Sequence, residues 1–289
     1  MPAQQPFTTL CRLVAQARPT ANRADLHLHT THSDGLYTPA QVVELAVRSG
    51  LCAVAITDHD TLEGVAPARV AAAGTGLEVI AGVEISSEHQ GRELHLLGYF
   101  VAPEDAALAT ALGSLRHSRV DRYYEMIDRL RGQGVHLAGA DIPPDAHALG
   151  RRHLAELLVR QGKVSTVREA FSRYLHDGGR AVVPKQLLPV EEAIRFVREA
   201  GGVTSWAHPP ERCTRAQLAE LRDLGLGAVE VEYPGFRPAR VRELRAWARE
   251  LGLVVSGGSD CHGPGTTHRN VGARSVSRAE LDALARAAG

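Results

Sequence analysis

The sequence predicts an α/β fold in which strands joined through helices build a parallel sheet or barrel carrying a helical insertion. Seven short apolar runs with strand character recur at residues 25–29, 53–57, 77–85, 93–100, 203–207, 228–232 and 253–256. Amphipathic helical segments fill several of the gaps between them, the alternation expected of βα units. Seven strands come close to closing a barrel. The stretch from about residue 103 to 188 breaks the rhythm with helical periodicity, few strand signals and a charged segment at 116–131. It reads as an insertion of the kind that forms a lid or substrate-recognition subdomain. The expected division is an N-terminal extension over 1–22, a barrel from 23–102 and 188–289, and an insertion over 103–187.

Local signals support the helices. At 38–49, Thr38 can cap, Pro39 suits the first turn and Gly50 ends the helix. Val42, Val43, Leu45 and Ala46 face the sheet there, while Gln41, Glu44 and Arg48 face water. Further helices are predicted at 189–200, stopped by Gly201-Gly202, and at 238–251, stopped by Gly252. The first 22 residues read as a short helical or frayed extension.

The 289 residues suffice for one large α/β domain with an insertion. Their balance of 44% hydrophobic and 23% charged residues is that of a globular chain. Lysine plus arginine and aspartate plus glutamate each number 33, so no net positive field exists to hold a long duplex. A small substrate or a nucleic-acid end is the expected partner. Cys11, Cys52, Cys213 and Cys261 form no C-x-x-C pair, which argues against a structural zinc site or a disulfide scaffold. No apolar run approaches the roughly 20 residues of a membrane span, and Arg12, Arg18 and Pro19 interrupt any signal-peptide core. The expected compartment is a reducing cytoplasm. The oligomeric state is not legible.

Chemistry gathers at the strand ends, where barrel enzymes build their sites. The first strand ends in His27-Leu28-His29, whose period-two alternation puts both imidazoles on one face, and Asp34 follows in the next loop. The second ends in Thr57-Asp58-His59-Asp60, the third reaches Glu84, and the fourth contains His95. His208 follows the fifth, and Asp260 and His262 follow the seventh. A single histidine at a strand end is compatible with a structural hydrogen bond. Nitrogen and oxygen donors gathered at one end of one barrel point instead to manganese, zinc or iron.

The segments DLHLHTTHSDG (25–35), AITDHDTLEG (55–64), AGVEIS (81–86), ELHLLGY (93–99), AHP (207–209) and GSDCHG (258–263) resemble the polymerase and histidinol phosphatase (PHP) family. The resemblance implies a distorted seven-stranded (β/α)7 TIM-like barrel and a two- or three-metal site that hydrolyses phosphate esters. Carried over by position, it gives His27, His29, Glu84 and Asp260 to a first metal. Glu84 would bridge to a second, completed by His95 and His208. Asp34, His59 and His262 would hold a third. Cations sharing a water acidify it and neutralise phosphate oxygens as charge develops.

Several neighbours keep two readings. Asp58 and Asp60 either orient His59 or cap the following turn. His32 reads as a surface residue. Arg116, Arg119 and Arg122 recur every three residues, as a solvated helix face or as phosphate-binding guanidiniums. The string FSRYLHDGGRAVVPK (171–185) is similar to the subgroup containing nucleoside 3′,5′-bisphosphate phosphatases and the 5′-to-3′ RNA-trimming enzyme RNase AM. That likeness implies substrate contacts from Arg119, Arg122 and Lys185. Tyr174 either stacks on a base or packs. His268, in a glycine-rich loop, is either a general acid for the leaving group or a loop residue without a role.

The expected activity is therefore hydrolysis of a nucleotide phosphate ester or 5′-to-3′ trimming of short RNA. Histidinol-phosphate hydrolysis is the alternative within the family. A non-catalytic metal-binding module would have a degraded ligand set. Amidohydrolase chemistry would want a metal-bridging lysine at a strand end.

Overall fold

The computed structural model describes residues 22–138, 149–264 and 267–288, so most of the expected N-terminal extension lies outside the described residues. One twisted sheet dominates. Its strands are β1 (Arg23–Leu28), β2 (Ala53–Ile56), β3 (Glu78–His89), β4 (Arg92–Tyr99), β6 (Val203–Trp206), β7 (Ala228–Glu232) and β8 (Val254–Gly257), with two-residue strands β5 (Leu188–Pro189) and β9 (Val276–Ser277). The order across the sheet is β8-β7-β6-β4-β3-β2-β1-β9, and β5 pairs with β3.

β1, β2 and β3 pair in parallel, as do β6, β7 and β8. β4 is antiparallel to both of its neighbours, β3 and β6. This corrects the expectation of an all-parallel barrel. The cause is local: Gln90 and Gly91, at φ 52 and φ 72, make a two-residue hairpin turn between β3 and β4. A parallel crossover needs a dozen residues or more, which this connection does not have. The hairpin also carries β3 to His89, past its predicted end at residue 85.

The sheet nearly closes on itself. Past the end of β8, Cys261 bridges in parallel to Leu28, the His29 amide donates to Cys261 O (3.1 Å), and the Asp260 amide donates to His27 O (2.8 Å). Gly258 permits the approach, since a Cβ there would lie 2.3 Å from His27 N. The result is a nearly closed, barrel-like sheet in the distorted TIM-like class the sequence predicted.

Helices cover its outside. α1 (Pro39–Arg48) begins with a full capping box between Thr38 and Gln41 and buries Val42, Val43 and Ala46. α2 (Val65–Ala72) follows β2. The insertion contributes α3 (Ala106–Gly132) and α4 (Arg151–Arg160), then a turn at Val167–Ala170 that runs into a π-helical segment, Phe171–Leu175. α5 (Val190–Glu199), α6 (Arg215–Asp223), α7 (Pro238–Leu251) and α8 (Arg278–Ala288) complete the outer layer. Gly252 ends α7 in the left-handed conformation at φ 70.

Two apolar cores follow. Leu108, Leu112 and Leu115, from the first half of α3, join the barrel core with Leu28, Ile56, Val83 and Ile85. Tyr123, Met126, Ile127 and Leu130, from its second half, pack with Leu149, Leu154 and Leu158 in a core of the insertion's own. One helix thus contributes to both cores. Among the described residues, no helix is long and apolar enough to cross a membrane.

Candidate metal centre

Glu84, on β3 and 1% exposed, is the hub. Its Oε1 lies 2.8 Å from His95 Nδ1 and 3.0 Å from His208 Nε2. Its Oε2 lies 3.3 Å from His27 Nε2, 3.2 Å from His29 Nε2 and 3.3 Å from His59 Nδ1. Five imidazoles thus face one carboxylate. Asp260 presents Oδ1 to His27, His29 and His262 at 3.6, 3.3 and 3.4 Å. Asp34 presents Oδ1 to His262 Nε2 at 3.2 Å, with His29 at 3.8 Å and His59 at 4.0 Å. All nine residues singled out as metal donors therefore lie together at one mouth of the barrel.

The reversal of β4 explains one position. His95 stands opposite Ser86 near the start of its strand, yet it reaches the mouth formed by the C-terminal ends of the other strands. His208 and Asp260, just beyond β6 and β8, hold positive φ angles of 30 and 49. Such backbone costs about 1–3 kcal/mol where the residue is not glycine and clusters at functional sites.

The residues fit a set of cations. Buried His27 Nε2, His29 Nδ1 and Nε2, His59 Nδ1 and Asp34 Oδ1 have no hydrogen-bond partner. Five such atoms in one spot would cost several kcal/mol unless something charged engaged them. Donors 3.0–3.5 Å apart suit ligands held about 2.1 Å from a shared ion. Three overlapping groups are compact enough: His29, Asp34, His59 and His262; His27, His29 and Glu84; and His59, Glu84 and His95. The donor set is that of a divalent-metal centre.

Electrostatics agree. Burial alone would depress the basicity of His29 and His95, yet the Asp260 and Glu84 carboxylates raise His29 to about 10, and Glu84 and Glu93 raise His95 to about 9. His27 is also driven well up against burial, by Glu230, Glu84 and Asp260. Burial likewise opposes ionisation of Glu84, Asp34 and Asp260, but the surrounding imidazoles hold all three below the usual carboxylate range. His59 moves the other way, lowered by burial and by His29 and Arg119. The pocket demands positive charge, which protons or metal ions can supply in competition.

A supporting layer escaped the sequence reading. Glu230, fully buried on β7, accepts from His27 Nδ1–H (2.9 Å) and from the His208 amide (2.6 Å). That fixes the His27 tautomer so that Nε2 faces the centre. Its signal was an acid inside an apolar strand, Ala228–Glu232, on the face shared with the ligands. Asp25 receives the amides of Ser259 (2.9 Å) and Gly272 (2.8 Å) and pins the closing seam. Arg269 donates to Asp260 Oδ2 and to Tyr233 OH (2.7 Å), while Tyr233 donates to the same Asp260 oxygen (3.1 Å). Asp260 thus keeps Oδ1 for the cluster and Oδ2 for this pair. Nothing in the local spacing marked Arg269 or Tyr233.

Other candidates take varied places. Asp58 accepts from Thr30 N (2.7 Å), Thr30 Oγ1 (2.7 Å) and Ser33 Oγ (2.6 Å), pinning the loop that carries Asp34. Asp60 accepts from Ser86 N (2.8 Å) and Arg119 Nε (2.6 Å). Neither is bonded to the His59 ring, so both earlier readings give way to loop and insertion anchoring. His32 is half-buried rather than on the surface. Arg116 pairs with Glu63, Arg122 donates to Val183 O (2.7 Å), and Lys185 pairs with Glu93. Burial, then Arg151 and Arg119, lowers Arg122 to about 10. Arg119, Arg122, Arg151, Arg152 and Lys185 line a pocket of about 100 Å³ together with Asp34 and His59. Tyr174 packs on the insertion core under the Arg173 guanidinium, 5.1 Å from the ring centroid. His268 is exposed, and its neighbour Arg269 makes the contacts to the centre.

Residues 25–176 match the family model for the PHP domain. A 5′-3′ exoribonuclease of Haemophilus influenzae is 34% identical over 247 residues, 83% of this chain and 90% of that protein. A 3′,5′-nucleoside bisphosphate phosphatase of Chromobacterium violaceum is 32% identical over 259 residues, 86% and 90% of the two chains. Among solved structures, one from Bifidobacterium adolescentis, provisionally described as a metal-dependent phosphoesterase, superposes with a TM-score of 0.83 at 29% identity, covering 91% of this chain and 96% of the other. A second, described as an amidohydrolase from Chromobacterium violaceum, superposes with a TM-score of 0.80 at 29% identity and the same coverage. With its donor motifs in order along the chain, its barrel-like sheet with β4 reversed and these relatives, the chain belongs to the PHP domain family.

Proposed function

We propose that this chain is a divalent-metal phosphoesterase acting on nucleotides, either nucleoside 3′,5′-bisphosphates or 5′-phosphorylated ends of short RNA. The convergence of five imidazoles on Glu84 carries the metal part of this reading. The names of two relatives carry the nucleotide part. His27, His29, Glu84 and Asp260 would hold one cation, Glu84, His95 and His208 a second, and Asp34, His59 and His262 a third. Nitrogen and oxygen donors suit manganese, zinc or iron.

When bound, such ions supply an acidified water and neutralise the phosphate oxygens. The chain's own residues do the rest. Glu230 orients His27, and Arg269 with Tyr233 orients Asp260. The basic pocket beside Asp34 and His59 offers Arg122, Arg151 and Lys185 to a second phosphate. Arg119 already spends its guanidinium on Asp60 and Ser86, which makes it the tie between α3 and the barrel as well as a wall of that pocket. Residues 103–187 then form the subdomain that recognises substrate.

A screen of product release tests this directly. It would span nucleoside bisphosphates, mononucleotides, 5′-phosphorylated RNA, histidinol phosphate and simple amides, each with manganese, zinc and iron. Turnover concentrated on the bisphosphates or RNA supports the reading. Turnover confined to histidinol phosphate, or to amides as the description of one solved neighbour suggests, refutes it.

A further inference from the structure

We propose that the cleft beside His95 and His208 is a subsite for single-stranded RNA lying downstream of the scissile phosphate. The inference rests on the nucleotide reading above. The cleft encloses about 730 Å³, within the range of roughly 300–1,000 Å³ common to sites for organic ligands. It begins at His95 and His208 and runs past Leu94 and Trp206 to α6. The basic pocket meets the cluster at other donors, Asp34 and His59, and holds about 100 Å³. The cluster therefore borders both a small cationic pocket and a long mixed cleft.

The cleft has the chemistry of a strand-binding groove. Arg92 and Arg212 line it, both are exposed, and neither forms an ion pair among the described residues. Of its carboxylates, Glu93 is engaged by Lys185 and His95, while Glu220 stands on α6 at the far rim, 3.9 Å from His89. Leu94, Trp206 and Leu221 provide an apolar floor. Unpaired guanidiniums over such a floor hold a phosphodiester backbone and its bases without reading sequence.

Both proposed substrates contain one nucleotide phosphorylated on O5′ and on O3′. In the bisphosphate the 3′-phosphate is terminal, whereas in RNA it continues to the next nucleotide. With the 5′-phosphate in the basic pocket and the 3′-phosphate at the cations, the continuing strand is left with the cleft. Hydrolysis forms a bond from the water oxygen to phosphorus and breaks the P–O3′ bond, and O3′ departs with a proton. The phosphate stays on the downstream strand, whose new 5′-phosphorylated end can then enter the basic pocket. A bisphosphate leaves the cleft empty.

The test is the double variant Arg92→Ala/Arg212→Ala assayed on adenosine 3′,5′-bisphosphate and on a 5′-phosphorylated pentaribonucleotide over a range of salt. Turnover of the bisphosphate should stay within about twofold of the parent, while KM for the RNA rises about tenfold. The log–log salt dependence for RNA should become shallower by about 0.7 per arginine removed. Equal losses on both substrates, no loss on RNA, or a parent enzyme that cuts only the bisphosphate would overturn the subsite. A parent enzyme that cuts neither would overturn the nucleotide reading, and the subsite with it.

Discussion

The barrel mouth and the helical insertion both surround the same cluster with charge, but they hold it by different means. At the mouth, His27, His29 and Glu84 are 0%, 0% and 1% exposed; His27 and Glu84 project from strands whose ladders fix their spacing, and His29, just past β1, is held by its amide bond to Cys261 O. From the insertion, Arg119 and Arg116 reach across from a helix and are held by Asp60 and Glu63, which belong to the barrel. Lys185, from the chain just before β5, is held by Glu93 in the same way. The mouth sets the chemistry rigidly. The insertion meets its surroundings through ion pairs to barrel carboxylates.

The largest expected break falls on the mouth. Asp260→Asn should reduce kcat/KM by about a thousandfold in steady-state assays, because it removes a charge shared by His27, His29 and His262. Next is Glu230→Gln, which leaves every candidate ligand in place but weakens the hold on His27. It should lower metal affinity about 10- to 100-fold in a competition titration, with folding retained.

On the insertion side, Met126→Ala opens the second core and should cost about 2–5 kcal/mol in denaturant unfolding. Metal content per folded chain should not change. Smallest is Lys185→Ala, which should raise KM several-fold with little change in kcat if the lysine contributes uniform phosphate binding. Equal loss of kcat and kcat/KM would place it in the transition state instead.

The comparison also predicts a pH signature. His29 and His95 sit at about 10 and about 9 in the folded chain, above the usual imidazole value of about 6.5. Their protons therefore stabilise the metal-free fold fully below about 6.5, and that contribution is lost as pH rises through 9 to 10. Thermal unfolding of chelated protein should decline across that window. Metal-loaded protein, with ions in place of those protons, should show a flatter profile.

The mouth was far more legible in sequence than its surroundings, for a physical reason. Alternation in His27-Leu28-His29 declares a common face, because a strand has a period of two, whereas Asp260 and His262 reach the same mouth from beyond the end of β8, with Asp260 at φ 49. The α1 box at Thr38 and the stop at Gly252 were equally local. The reversal of β4 was legible too, since the gap between residues 85 and 93 is too short for a crossover, but it required weighing loop length rather than apolar pattern. Glu230 and Tyr233 act through partners far away in sequence and Arg269 through one across a loop, while Asp58 turned to the loop after β1 and Asp60 to Ser86 and Arg119, about which alternation says nothing. The cleft between β4 and α6 is a property of packing alone.

Metal content measured by mass spectrometry on purified protein, alongside His29→Ala, tests the central claim most directly. The account predicts two or three divalent ions per parent chain and a clear loss in the variant, whose missing imidazole faces Glu84, Asp260 and Asp34. A parent chain that takes up less than one equivalent after reconstitution with manganese, zinc or iron would contradict it.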